Sequence, residues 1–358
     1  MSGFLGMFTF GGPPPPVVPS IYIAYGGPTA GQRISVYNWN STTGFGSIFT
    51  APTVSNPVNQ ISFVTDNSNI SASCTTSPFF LVWAWSGSGF GTQYANAGSP
   101  LSPSAFGPAG FTWTKNVDAI LTSNALNPSF PQAWAWSQAS GFGSKYSNGP
   151  ALNSAGFSTG VTLNGDSTQV AFSQGATPVI SLFPWSSVTG FGTKYANPAS
   201  LPPFGNNLES ISFNPVTNDV AIGSTATPFI AAYPVTSSGF GTRYANPASF
   251  VGGPAFGVRF SPTGAELAVA NNSTPNTLKV YQWSSGFGSL YSSPSILQVV
   301  QSVDWSSTGT EIAAAIPSTP PYTRAYPWTS AGGFGSAYAN PGTALASSNS
   351  VAFSDKSR

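Results

Sequence analysis

The chain has 358 residues, of which 41% are hydrophobic and only 5% are charged, with a formal net charge of +1. Its ten lysine and arginine residues are too few for the clustered phosphate contacts of a nucleic-acid-binding protein, so that class is excluded. The absence of histidine excludes a Ser-His-Asp triad and most zinc sites, and a single cysteine excludes an intrachain disulfide framework. Neither a metal nor another cofactor is predicted.

Residues 1–19 are predicted to form an N-terminal arm, separate from a single domain over residues 20–358. The arm combines an apolar cluster with Pro13 to Pro16, a run that is typical of a stiff polyproline II spacer. The apolar side chains are Phe4, Leu5, Met7, Phe8 and Phe10. Because exposed phenylalanines need cover, we expect the arm to dock on a neighbouring subunit of an assembly. Folding back onto its own domain is the alternative.

The sequence predicts neither a signal peptide nor a transmembrane helix. The N-terminal segment has no basic region before its short apolar stretch, so no signal peptide is predicted. No apolar run reaches the ~18 residues of a transmembrane helix.

The tripeptide Gly-Phe-Gly occurs seven times, each copy followed by Ser or Thr, one variable residue and then Tyr or Phe. The central residues are Phe45, Phe90, Phe142, Phe191, Phe240, Phe287 and Phe334. Their spacings of 45 to 52 residues show that one supersecondary unit is repeated. No helix follows the motif, so a phosphate cradle is disfavoured. We expect a tight turn with positive φ at glycine and a structural role for the phenylalanine.

Each repeat reads as four strands. In the clearest copy, residues 258–294, alternating VRF is followed by the turn SPTG, the apolar run ELAVA, the alternating LKVYQW and the Gly-Phe-Gly segment. The third strand ends in aromatic-x-Trp in six repeats, and only Tyr233/Val235 departs. Alternate residues of a strand share one face, so both aromatic residues are predicted to pack between neighbouring sheets.

The two ends of the chain complement each other. After the last Gly-Phe-Gly copy, residues 351–354 supply a lone first strand, whereas residues 21–26 and 32–39 supply second and third strands with no first strand before them. Pairing these segments completes one unit and removes the exposed sheet edges. The sequence therefore predicts an all-β, seven-bladed β-propeller with four-stranded blades, its ring closed by N- and C-terminal strands that share one blade.

The turn V-x-F-S-P-x-G and the third strand ending in Y-x-W resemble those of the WD-repeat β-propeller family across residues 20–358. The Gly-His dipeptide is missing and the Asp after Trp is replaced by Ser, Thr or Asn, so the resemblance implies that the family's hydrogen-bonded tetrad is absent. The added Gly-Phe-Gly-(Ser/Thr)-x-Tyr unit resembles repeats of β-propeller proteins of tailed-bacteriophage particles. That resemblance implies a virion component.

Carboxylates recur once per repeat near the turn between the first and second strands. They are Asp66, Asp118, Asp166, Asp219, Glu266, Glu311 and Asp355. Spread around a ring, they do not converge as a glycosidase pair about 5–9 Å apart, so no catalytic residue is assigned. Glu209 and Asp304 depart from this pattern because each lies in or beside a first strand. We expect them to line the central channel, where they meet water, a cation or Arg259.

Three consecutive repeats carry a cation at the variable position of the Gly-Phe-Gly unit: Lys145, Lys194 and Arg243. This arc could recognise an anionic protein or glycan. The alternative is a guard against edge-to-edge pairing of the outermost strands.

These observations lead to the prediction of a non-enzymatic structural or attachment protein of a virus particle, present in many copies. Its expected partners are other virion proteins, contacted through the arm, and a host surface receptor or glycan. The alternative is an extracellular propeller that recognises glycans or proteins, and the third interpretation is a propeller glycosidase.

Overall fold

The computed structural model describes residues 21–31, 33–96, 110–123, 130–152, 158–201, 208–249, 252–342 and 347–354. All regular structure in these ranges is β-strand, arranged as seven four-stranded antiparallel sheets. None of the described residues belongs to a helix with the length and apolarity needed to cross a bilayer. Phe4, Leu5, Met7, Phe8 and Phe10 lie outside the described residues, so docking of the arm stays a prediction.

The strands follow one another in a simple up-and-down order within each blade. The closing blade contains β1 (Ile21–Gly26), β2 (Ile34–Asn40) and β3 (Gly44–Ile48). Blade 1 contains β4 (Val58–Phe63), β5 (Asn69–Cys74), β6 (Phe80–Ser86) and β7 (Gly89–Gln93). Blade 2 contains β8 (Phe111–Trp113), β9 (Ala119–Thr122), β10 (Gln132–Ser137) and β11 (Gly141–Lys145). Blade 3 contains β12 (Ser158–Leu163), β13 (Gln169–Gln174), β14 (Ile180–Ser186) and β15 (Gly190–Phe191); blade 4 contains β16 (Leu208–Phe213), β17 (Asp219–Ser224), β18 (Ile230–Thr236) and β19 (Gly239–Phe240). Blade 5 contains β20 (Ala255–Phe260), β21 (Glu266–Asn271), β22 (Leu278–Trp283) and β23 (Phe287–Leu290); blade 6 contains β24 (Ser302–Trp305), β25 (Glu311–Ala315), β26 (Thr323–Thr329) and β27 (Gly333–Phe334); β28 (Ser350–Phe353) returns to the closing blade.

The closing blade has the predicted composition, with β28 as its innermost strand beside β1. The antiparallel register pairs Ile23 with Phe353 and Tyr25 with Val351. The backbone N–H of Tyr22 also donates to Ser354 Oγ at 2.7 Å. The prediction of a seven-bladed propeller closed by both ends of the chain is therefore confirmed.

The core lies between the blades, where the third-strand aromatic residues are packed. The two residues of each predicted pair, including Tyr233 and Val235, are at most 6% exposed. Trp83 and Trp134 are among the largest fully buried side chains. Each such ring removes about 150–250 Å² of largely apolar surface from water, which favours the folded state.

The Gly-Phe-Gly motif is a structural joint at the outer edge of each blade. The first glycine of every copy has a positive φ, between 75° and 131°. In six blades the phenylalanine ring packs edge-on against the third-strand tryptophan of the same blade, with centroids 4.9 to 5.2 Å apart. In blade 4 the phenylalanine contacts Tyr233 instead, at 5.7 Å.

The aromatic residue that ends the motif joins each blade to the next. The Tyr94 ring lies 4.8 Å from Trp136 of the following blade, and its hydroxyl donates to the Gln138 carbonyl at 3.0 Å. At the closing blade, Tyr338 contacts Trp39 at 5.0 Å and donates to the Ser41 carbonyl at 2.6 Å. A Cβ at Gly141 would come within 3.0 Å of the Tyr94 ring, so the first glycine is also needed for this close approach.

A buried carboxylate buttresses the junction between blades 4 and 5. Asp219 is 3% exposed. It accepts hydrogen bonds from the Trp283 indole at 2.9 Å, the Tyr244 hydroxyl at 2.9 Å and the Thr217 hydroxyl at 2.5 Å. The chain has no histidine, and at this junction an indole and two hydroxyls bind the carboxylate, a network that the sequence analysis did not predict.

Alkaline pH is expected to destabilise the fold. Burial, followed by the hydrogen bond to Asp219, raises the pKa of Tyr244 to about 12. Burial also raises the pKa of the Cys74 thiol to about 11 and that of Tyr281 well above its ordinary value. The folded state therefore holds these protons to higher pH than the unfolded chain, so their contribution is complete below the unfolded tyrosine pKa of about 10 and is lost as pH rises toward 12.

We expect the urea midpoint to fall progressively between pH 9 and pH 12, and Tyr244→Phe to show a shallower fall. A midpoint that stays constant up to pH 11.5 would contradict this prediction.

Candidate functional site

The innermost strands of the seven blades enclose a central channel with a cavity volume of about 630 Å³. Hydroxyl and amide side chains dominate its wall, among them Gln60, Ser62, Thr112, Ser302 and Asn349. Lys115 lies in the turn after β8 at one end of the cavity, and Arg259 and Asp304 lie on β20 and β24. The wall is polar but carries little charge among the described residues.

Many of these polar side chains form hydrogen bonds with backbone groups at the free edge of a neighbouring innermost strand. The Gln60 side-chain amide accepts from the Phe111 N–H at 2.9 Å and donates to the Phe111 carbonyl at 3.1 Å. Thr162 and Ser212 accept backbone N–H groups of the next blade in the same way. Because an unpaired backbone group is costly, part of the polarity of the wall is structural.

An ion pair between neighbouring blades crosses this wall. Arg259 Nε lies 3.0 Å from Asp304 Oδ1, and the two side chains are 25% and 4% exposed. Asp304 Oδ2 accepts the Phe353 N–H at 2.9 Å, so both carboxylate oxygens are engaged. No described residue is hydrogen-bonded to Nη1 or Nη2 of Arg259 in the structure. The channel thus holds an oriented guanidinium whose outer nitrogens are available to a ligand.

Asp304 lines the channel as expected, and of the three partners left open for it by the sequence, the structure shows Arg259. Glu209 belongs to β16, and its side chain is outside the described part of the structure. Lys115 and the amide of Gln60 were missed as channel residues. In the sequence they are marked only by their position in or beside a first strand. Residues with a purely structural role share that position.

The described acids that recur once per blade bond to groups of their own turn or, like Asp219, of the adjoining blade. Asp66 accepts from the backbone and hydroxyl of Ser68, and Asp118 accepts from the Thr114 hydroxyl at 2.6 Å. Glu266 accepts from the Ser261 hydroxyl at 2.7 Å and from Ser330 of the next blade. Within the described ranges no three potential metal ligands of the His, Cys, Asp or Glu type come together.

The three cations of the predicted arc lie on the outer side of blades 2, 3 and 4. Lys145 ends β11, with its Nζ 5.4 Å from the centroid of the Trp134 ring, and burial lowers its pKa. Lys194 follows β15, and burial lowers its pKa as well. Arg243 follows β19 and donates to the Asn246 side chain at 2.8 Å. Recognition of an anion and protection of the edge both stay predictions.

Solved structures of other proteins share this fold over nearly the whole chain. A protein named as a putative 6-phosphogluconolactonase from Bacteroides uniformis is 12% identical, with a TM-score of 0.72 over 93% of this chain and 99% of that one. One of the same name from Bacteroides fragilis is 13% identical, with a TM-score of 0.74 over 96% and 100%. The periplasmic gluconolactonase of Pseudomonas aeruginosa is 14% identical, with a TM-score of 0.72 over 94% and 99%. No protein-family model and no curated protein sequence matches the chain.

These likenesses overturn the sequence-based prediction of a non-enzymatic virion protein. The three solved structures described above carry the names of lactonases, and none of these names refers to a virus particle. The phage resemblance depended on the Gly-Phe-Gly-(Ser/Thr)-x-Tyr unit, which the structure shows to be a joint within and between blades. The motif is therefore explained by the packing of the blades. At 12 to 14% identity, the shared feature is the fold itself.

Proposed function

We propose that this chain is a carbohydrate-acting propeller whose central channel binds a sugar lactone and hydrolyses it. The observation that carries the proposal is the oriented Arg259 guanidinium, fixed by Asp304 in a wall of hydroxyl and amide groups. The names of the solved structures with the same fold support the choice of a lactone.

The channel fits the recognition of a small polyhydroxylated molecule. Its volume of about 630 Å³ falls within the range of about 300–1,000 Å³ of small-molecule sites. Hydroxyl and amide groups such as Ser62, Asn349 and Gln301 can donate to and accept from sugar hydroxyls. An uncharged polar wall favours a neutral ligand, and Arg259 supplies one point of attraction for a polarised carbonyl.

Hydrolysis then needs stabilisation of the charge that develops on the lactone carbonyl oxygen. In the proposal, the outer nitrogens of Arg259 donate to that oxygen while water adds to the carbonyl carbon. The bond between the carbonyl carbon and the ring oxygen breaks, and the ring oxygen becomes a hydroxyl by taking up one proton of the attacking water. The product is the open sugar acid, whose carboxylic proton passes to solvent. Asp304 acts as a positioning residue because it holds Nε and keeps the guanidinium in place.

Hydrolysis of D-glucono-1,5-lactone, measured as proton release at constant pH after subtraction of the spontaneous rate, tests this proposal. We expect catalysis by the unmodified chain and a loss of about 10²-fold in kcat/KM for Arg259→Gln, the usual effect of removing one oxyanion donor. Arg243→Gln, on the outer side of blade 4, is the matched control and is expected to retain full activity.

Two outcomes contradict the proposal. One is a properly folded unmodified chain that releases protons no faster than the spontaneous reaction. The other is equal kcat/KM for Arg259→Gln and the unmodified chain.

A further inference from the structure

One position on the innermost strands, the second-last, caps the next blade at three of the seven junctions. In blade 1, blade 2 and the closing blade it is held by Ser62, Thr112 and Ala352, and among the described residues none of these accepts a backbone N–H of the next blade. The second-last residue of these strands is Thr162 in blade 3, Ser212 in blade 4, Arg259 in blade 5 and Asp304 in blade 6. Three of them accept a backbone N–H from the following blade: Phe213 at 3.4 Å, Phe260 at 3.2 Å and Phe353 at 2.9 Å. The acceptor is a hydroxyl twice and a carboxylate once.

Blade 5 breaks this pattern because a guanidinium has no acceptor. The N–H that Arg259 faces belongs to Trp305, by the same register that pairs Ser212 with Phe260. Ser306 N–H donates to the Glu311 carbonyl at 3.0 Å, within the ladder between β24 and β25. Since backbone groups of successive residues in a strand point to opposite sides, the Trp305 N–H points away from β25, towards blade 5 and the channel edge.

Arg259 and Trp305 are held next to each other. The Trp305 indole donates to the Arg259 carbonyl at 3.1 Å, and Asp304 holds the guanidinium from the other side. No described residue provides an acceptor for the Trp305 N–H in the structure. Two kinds of donor, the guanidinium and a backbone N–H, therefore meet where blades 3, 4 and 6 place a donor against an acceptor.

We infer that Arg259 and the Trp305 N–H together form a two-donor site for one oxygen-bearing group of the ligand: the carbonyl of the bound lactone and, after hydrolysis, the carboxylate of the sugar acid. The choice of ligand rests on the proposed function. In this site an acceptor oxygen of the ligand takes the place of the missing cap. Backbone N–H and guanidinium donors are the groups that stabilise oxyanions.

Selective labelling makes the site observable without turnover. The chain has ten tryptophans, so protein labelled with ¹⁵N-tryptophan gives ten backbone amide signals. Trp305→Phe identifies the Trp305 signal by its loss. On titration with sodium gluconate, we expect a saturable downfield shift of the Trp305 amide, whereas the Trp39 amide in the closing blade stays in place.

Arg259→Ser is the decisive variant because it restores the hydroxyl found at Ser212. We expect this hydroxyl to accept the Trp305 N–H, abolish the response to gluconate and lower kcat/KM for gluconolactone by about 10²-fold. The urea midpoint is expected to fall, because the nearly buried Asp304 loses its cationic partner, while the other tryptophan amide signals keep their folded positions. Ser212→Ala is the control: it uncaps Phe260 without adding a cation, and the Trp305 response is expected to persist.

The outcomes separate this inference from the proposed function. A gluconate-dependent shift of Trp305 without lactone turnover supports the site and overturns the proposed function. Turnover without any shift of Trp305, or an undiminished shift in Arg259→Ser, overturns the two-donor site and leaves the proposed function standing. No shift and no turnover in the folded chain overturn both.

Discussion

A chain that stops after residue 349 is expected to lose its cooperative unfolding transition. The deletion removes β28, whose Val351, Ala352 and Phe353 are at most 5% exposed, and leaves the inner edge of β1 unpaired. Burying a valine or phenylalanine side chain contributes about 1.5–3 kcal/mol each, and the closing contacts on both sides of this strand are lost as well. The sum is comparable with the total stability of about 5–15 kcal/mol of an ordinary domain.

Urea unfolding followed by tryptophan fluorescence measures this effect. A synthetic peptide of residues 350–358 provides the rescue of a truncated chain that does not fold: we expect it to restore the transition, and a scrambled peptide of the same composition to have no effect. A truncated chain with an unaltered midpoint would show that the ring does not depend on its closing strand.

Asp219→Ala is expected to be the most damaging single substitution of an acidic residue. It leaves the Trp283 indole and the Tyr244 and Thr217 hydroxyls without their acceptor inside a junction between two blades. Each buried polar group left unpaired costs about 1–3 kcal/mol, so we expect a loss of at least about 3 kcal/mol. Asp166→Ala is the matched control, since Asp166 is exposed and binds only Thr168 and the adjacent turn.

The free energy of unfolding in urea, measured for both variants, decides the matter. A double-mutant cycle with Trp283→Phe isolates the carboxylate–indole contact, and we expect the two substitutions to be strongly non-additive. If Asp219→Ala were as mild as Asp166→Ala, the carboxylate would contribute no more than a surface turn does.

Local periodicity was sufficient to predict the architecture. Seven copies of one motif, the aromatic-x-Trp ending of the third strand and the complementary ends required nothing beyond strand alternation and the avoidance of open edges. The contact between Asp304 and Arg259 was predictable because both occupy equivalent positions of adjacent repeats. The Asp219–Trp283 bond joins residues 64 positions apart, and no periodic signal marks that single pair among seven similar junctions.

The same periodicity misled the functional prediction. A motif present in every blade, such as Gly-Phe-Gly with its tyrosine, serves a need common to all blades, which here is the packing of Phe142 on Trp136 and the bond from Tyr94 to the next blade. A site that acts on one ligand breaks the symmetry of the ring. Arg259 is a departure of this kind, and it becomes visible only when the hydrogen bonds of Thr162, Ser212 and Asp304 show what its position does in three other blades.

The hydrogen bond between Tyr22 and Ser354 brings the first and last described strands side by side, so the ring does not depend on which blade comes first along the polypeptide. A short linker from residue 354 to residue 21, with new ends cut between two other blades, would yield a circularly permuted protein in which every sheet keeps its four strands. Such a permutant could carry a fused partner at either mouth of the channel. Its closing blade would be joined covalently, where the native ring is held by hydrogen bonds.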